Sequence, residues 1–105
     1  MNHHKNSVTL LQATQESPVL ARLADLSRES TARLKAIELL IPVSLRSAVK
    51  AGPIDGTVWC VILDNNSVAA KFRQLAPAFE AHLRSKGFDV QSIRLKVHSS
   101  RTTSL

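Results

Sequence analysis

The chain has 105 residues, with 14 Lys and Arg against 8 Asp and Glu, one Cys, one Trp and no Tyr. This length fits one domain with a single core, the 44% apolar content excludes a wholly disordered chain, and the lone Cys60 excludes a disulfide framework or a multi-Cys zinc site. No apolar run approaches the roughly 18–20 residues of a membrane span, and Met1–Lys5 leads into polar residues rather than a signal-peptide core, so a soluble cytoplasmic protein with no membrane partner is expected.

Residues 1–7 are polar and read as a disordered tail, 8–98 as the single folded domain, and 99–105 as a second disordered tail. Leu10 and Leu11 suggest a short leading helix. Ser17-Pro18 then starts a long one, because Ser caps and Pro fits the first turn, where its missing N–H would go unpaired anyway. Leu20, Leu23, Leu34, Ile37 and Ile41 keep the 3–4 spacing of a buried stripe, and Pro42 stops the helix near Ile41.

A hairpin follows. Leu45, Val49 and Ala51 alternate with Arg46, Ala48 and Lys50, and Gly52-Pro53-Ile54-Asp55-Gly56 carries the residues of a turn. Thr57–Leu63 is a continuous β-favouring run: if Val58, Cys60 and Ile62 face the core, Trp59 lies on the opposite sheet face beside Arg46 and Lys50, and in the alternative Trp59 packs under the N-terminal helix.

Asp64, Asn65 and Asn66 supply capping chemistry for a second long helix ending at Gly87. Val68, Phe72, Leu75, Phe79 and Leu83 form its apolar stripe, and Pro77 predicts a kink or a brief break. The last strand, Val90–His98, turns Ile93, Leu95 and Val97 one way and Ser92, Arg94, Lys96 and His98 the other. The expected class is α+β, in the order helix-strand-strand-helix-strand. The first two strands should be antiparallel, the second helix a crossover, and the helices packed on one face of a three-stranded sheet.

The net charge of +6 is unevenly placed. Residues 65–98 hold Lys71, Arg73, Arg84, Lys86, Arg94 and Lys96 against Glu80 and Asp89 only. Arg94 and Lys96, about 7 Å apart on one side of a strand, together with Arg46 and Lys50, would hold a sugar–phosphate backbone while a base stacks on Trp59. Glu80 precedes Arg84 by four residues, the favourable orientation for a helical ion pair, which leaves Lys71 and Lys86 as the better phosphate contacts.

No catalytic, cofactor or metal site is expected. His3, His4, His82 and His98 lack a completing ligand set, Cys60 reads as a packed strand residue, and no Walker-type loop is present. The chain therefore reads as non-enzymatic.

Residues 34–97 carry a further pattern: Leu39-Leu40-Ile41-Pro42-x-x-Leu45, then Asp55-Gly56-Thr57-Val58-x-Cys60-x-Ile62. Ala69-Ala70-Lys71-Phe72-Arg73-Gln74-Leu75-Ala76-Pro77 comes next, and Ile93-Arg94-Leu95-Lys96-Val97 closes it. In order and spacing this resembles the DciA family of bacterial replicative-helicase loaders. The resemblance implies a KH-like domain that binds DNA, preferring single-stranded or forked forms, and helps to place the DnaB-type replicative helicase. It implies a nucleoid-associated location and a basic DNA surface at Lys71, Arg73, Arg94 and Lys96. An RNA-binding module and a pure protein-interaction domain are the alternatives.

Overall fold

A computed structural model of the chain describes residues 17–98. The expectations for residues 1–16 and 99–105, including both tails, Leu10, Leu11, His3 and His4, lie outside the described residues. Helix α1 spans Pro18–Ile37 and passes through a 3-10 turn, Glu38–Leu40, into a single-turn helix α2, Val43–Arg46. Strand β1 (Val49–Asp55) and strand β2 (Val58–Leu63) form the hairpin, followed by helix α3 (Asn66–Ser85) and strand β3 (Ser92–Val97). The sheet order is β1-β2-β3, with β1 antiparallel and β3 parallel to the central strand. The fold is a small α+β domain with a mixed three-stranded sheet, and α3 is the crossover.

The helix ends follow local chemistry. Ser17 Oγ accepts the Leu20 N–H at 3.3 Å, and Asn65 Oδ1 accepts the Val68 N–H at 2.9 Å. At the end of α3, Gly87 adopts φ +95°; its N–H donates to the Arg84 carbonyl and the Phe88 N–H reaches back to Leu83, both at 3.0 Å. This paired closure satisfies two orphan carbonyls and needs a left-handed residue, which Gly87 supplies. Helix α3 runs unbroken across Pro77, so of the expected kink or brief break the break does not occur. Pro77 is exposed, so the Arg73 carbonyl it leaves without a helical donor faces water.

The hairpin differs from expectation in two ways. Leu45 and Arg46 belong to the helical turn α2, and β1 begins only at Val49. The strand then continues through the glycine-proline segment, and the turn is Gly56-Thr57 alone, with Gly56 at φ +61°. Ala51 pairs with Val61 and Ile54 with Trp59, so Gly52 and Pro53 together oppose Cys60. That is a β-bulge. A Cβ at position 52 would sit 2.8 Å from the Cys60 carbonyl oxygen, so the bulge requires glycine there.

Of the two facings open to β2, the structure has the one that packs Trp59 under the helices, so the register that puts Val58, Cys60 and Ile62 in the core and Trp59 on the surface does not hold. Trp59, Val61 and Leu63 are fully buried beneath the helices, with Phe72, Phe79, Leu83, Ile37 and Ile41. Val58, Cys60 and Ile62 lie half-buried on the other face. The deciding contact is polar. The Trp59 indole N–H donates to Ser30 Oγ at 2.9 Å, and the Ser30 hydroxyl donates to the Gly52 carbonyl at 2.5 Å. Ser30 is itself buried, so one hydroxyl satisfies a buried donor and the bulge carbonyl while fastening α1 to β1 and β2.

Two further polar contacts position β3. Glu80 does not pair with Arg84. Its Oε2 accepts the Ile93 N–H at 2.9 Å, and the Arg84 guanidinium donates to the Val90 carbonyl at 3.1 Å. Both side chains fix the entry of the last strand against α3.

Ser30→Ala leaves the Trp59 N–H and the Gly52 carbonyl buried without a partner, and should lower the free energy of unfolding by about 2 kcal/mol in a urea titration. The exposed neighbour Ser27→Ala should change it by less than about 0.5 kcal/mol. Equal effects of the two substitutions would contradict the role given to Ser30.

Candidate functional site

Both long helices lie on the Trp59 side of the sheet, α1 over β1 and α3 over β3. No described element covers the opposite face. Its residues follow from the register: Lys50 pairs with Ile62 and Ile62 with Lys96, which makes one row across all three strands. Cys60 and Arg94 form the next row, and Val58 and Ser92 the third. The face is therefore an apolar strip (Val58, Cys60, Ile62) with Arg94 and Lys96 along β3, and with Lys50 and the carboxylate of Asp55, which pairs with Val58, towards opposite ends of β1.

Standard strand geometry puts Arg94 and Lys96 about 7 Å apart, and Lys50 about 10 Å from Lys96 across two strand spacings. These separations are comparable to the Debye length of roughly 8–10 Å in physiological salt, so the three potentials reinforce one another. Arg94 and Lys96 are exposed, with no ion pair or side-chain hydrogen bond among the described residues. The Lys50 ammonium donates to the Ser47 carbonyl at 2.7 Å, which anchors its head and leaves two protons free. Beside Arg94 and Lys96 a shallow concavity of about 440 Å³ is lined also by Pro53, Asp55, Val58, Cys60 and Leu95. Its donors outnumber its single carboxylate, so it suits an anion rather than a metal ion.

Of the eight residues that the sequence nominates, the structure brings three together: Lys50, Arg94 and Lys96. Trp59 is excluded from the surface entirely, because its indole fills the core and its N–H is engaged by Ser30. Arg46 is not in a strand. It is half-buried on α2, and its Nε donates to the Ile41 carbonyl at 2.9 Å. Lys71 and Arg73 are exposed on opposite flanks of α3, and Lys86 caps its C-terminus, all on the helical side. Helical spacing places Arg73 in line with Pro77, Glu80 and Arg84 along the β3 side of α3, and Lys71 in line with Leu75 and His82.

Cys60, expected in the core, lies at the centre of the open face, half-buried and opposite Arg94. No signal in the apolar run Thr57–Leu63 distinguishes its two faces. The signal that could have done so is the distant Ser30, a small polar residue in the middle of the α1 stripe.

Ion pairs among the described residues are confined to α1: Arg22 and Arg33 with Glu29, and Arg28 with Asp25. No described helix is long and apolar enough to cross a membrane. No protein-family model matches the chain, and no curated protein is detectably similar to it.

With its indole in the core, Trp59 should emit at short wavelength and resist acrylamide quenching until the protein unfolds. A single-stranded oligonucleotide should leave that emission unchanged, and strong quenching by the oligonucleotide would place the tryptophan at the contact after all.

Proposed function

We propose that the protein is a non-enzymatic DNA-binding accessory of replication initiation, which holds DNA on the open sheet face and helps to load a DnaB-type replicative helicase. The observation that supports DNA binding most directly is the convergence of Lys50, Arg94 and Lys96 on one uncovered face. The resemblance to the helicase-loader family supports the biological setting. With no Phe, Tyr or Trp on that face among the described residues, the grip is on phosphates rather than on stacked bases, and such contacts carry no sequence information.

The same reading gives the helicase a second surface, which meets the open sheet face at Pro53 and Ile62. The N-terminal half of α1 exposes Val19, Leu20 and Leu23, the last two 53% and 57% accessible although they lie on the apolar stripe. The stripe continues into a cleft of about 440 Å³ between α1 and the bulged edge of β1, lined by Leu26, Ala51, Pro53 and Ile54. An apolar helix face opening on a cleft suits an apolar anchor from a protein partner.

Three phosphate contacts correspond to a log–log salt slope of about −2 on single-stranded DNA, and Arg94→Glu with Lys96→Glu should weaken binding by more than about tenfold at low salt. Lys71→Glu, behind the sheet, should stay within about twofold of the unmodified protein. Salt-independent binding, no binding at about 50 mM salt, or a loss from Lys71→Glu equal to that of the double reversal would overturn the assignment. RNA of the same sequence should compete no better than DNA, since a reader of the 2′-OH would prefer RNA strongly. In a pull-down, the helicase should remain bound after nuclease treatment; its loss would mean that DNA alone bridges the two proteins.

A further inference from the structure

The two edges of the sheet are treated differently. On β1, the bulge breaks the hydrogen-bonding row, Pro53 has no N–H to offer, and Ser30 occupies the Gly52 carbonyl. On β3 one group is closed, the Ile93 N–H held by Glu80. The His98 N–H donates inward to the Leu63 carbonyl at 2.7 Å, and alternation along the strand turns the N–H and C=O of Leu95 and Val97 outward. Among the described residues nothing pairs with them. The edge beyond Ile93 is therefore a short row of free backbone groups.

The charge beside this edge has one sign. Arg94 and Lys96 flank Leu95 on the open face. Arg73 lies on the β3 flank of α3, seven residues and about 10 Å before Glu80; because α3 runs antiparallel to β3, this brings it level with Lys96 and Val97. A second copy adding antiparallel to the same edge would oppose Arg94 and Lys96 with their own counterparts, and like charges directly across strands are destabilising. Residues 99–105 contribute Arg101 and no acidic side chain. A strand bearing carboxylates meets no such repulsion.

We infer that the free edge of β3 takes up an extended acidic segment of a partner protein by strand addition. The segment's backbone pairs with Leu95 and Val97, and its alternate carboxylates meet Arg94 and Lys96. This goes beyond the DNA-binding reading and does not depend on it, because it requires the backbone edge as well as the cations.

The probes are a blocked hexapeptide of alternating Glu and Val, its counterpart with Lys for Glu, and a Glu–Val peptide with a central Val replaced by Pro. The readout is amide hydrogen exchange resolved by residue. The Glu–Val peptide should slow exchange at Leu95 and Val97 by more than about tenfold, the other two should not, and Arg94→Gln with Lys96→Gln should weaken the effect. A single-stranded oligonucleotide, whether or not it binds, should not slow those two amides. Unchanged exchange with the Glu–Val peptide, or equal slowing by the Lys, Pro or oligonucleotide probe, would overturn the inference.

Discussion

The Ser30 hydroxyl sits where three parts of the fold meet. It accepts the Trp59 indole N–H from the central strand and donates to the Gly52 carbonyl at the bulge of the edge strand. Because side chains alternate with a period of two, fixing Trp59 inward fixes every other residue of β2 as well. Val61 and Leu63 follow it into the core, while Cys60 and Ile62 turn outward. Parallel pairing passes the choice to β3, where Ile93, Leu95 and Val97 share the inner face and Arg94 and Lys96 the outer. The cationic surface thus lies on the sheet face opposite this buried hydrogen-bonded pair, with the facing of β2 and the alternation of β3 in agreement.

A second buried polar group shows why counting charges overstates the exposed charge. Arg33 is 6% exposed and stacks its guanidinium 5.2 Å from the centre of the Phe88 ring. It donates to the Glu29 carbonyl at 3.0 Å, and its Nε has no hydrogen-bond partner among the described residues. This cation joins α1 to the loop after α3, a contact of the kind worth about 0.5–2 kcal/mol, and is withdrawn from any surface field. The useful charge is the smaller set that no carboxylate neutralises and no core buries.

The sequence showed clearly what local chemistry decides. Ser17-Pro18, Asn65 and Gly87 mark helix ends because capping needs only neighbours, and the strict alternation of Ile93–Val97 marks which of its residues are cationic and outward. It was misleading where a distant group decides. Every position from Val58 to Leu63 is apolar, so periodicity cannot choose between its faces; Ser30, twenty-nine residues before Trp59, makes the choice. Gly52-Pro53 carries turn chemistry, yet here it serves a bulge, because a strand can absorb one extra residue where its partner's carbonyl comes close. Arg46 read as a strand residue because four alternating positions fit a single helical turn equally well. Lys71 and Lys86 lie close in sequence to Arg94 and Lys96, but the crossover puts the two pairs on opposite sides of the sheet, a separation that no local pattern shows.

Cys60 is the only thiol of the chain and stands in the middle of the open face, opposite Arg94. Its rate of alkylation by a small neutral maleimide, with and without saturating single-stranded DNA at low salt, reports directly on whether that face is the contact. The account predicts that bound DNA slows the reaction by more than about fivefold, because only the exposed thiolate reacts. Saturated DNA binding with Cys60 alkylated at the rate of the free protein would contradict it.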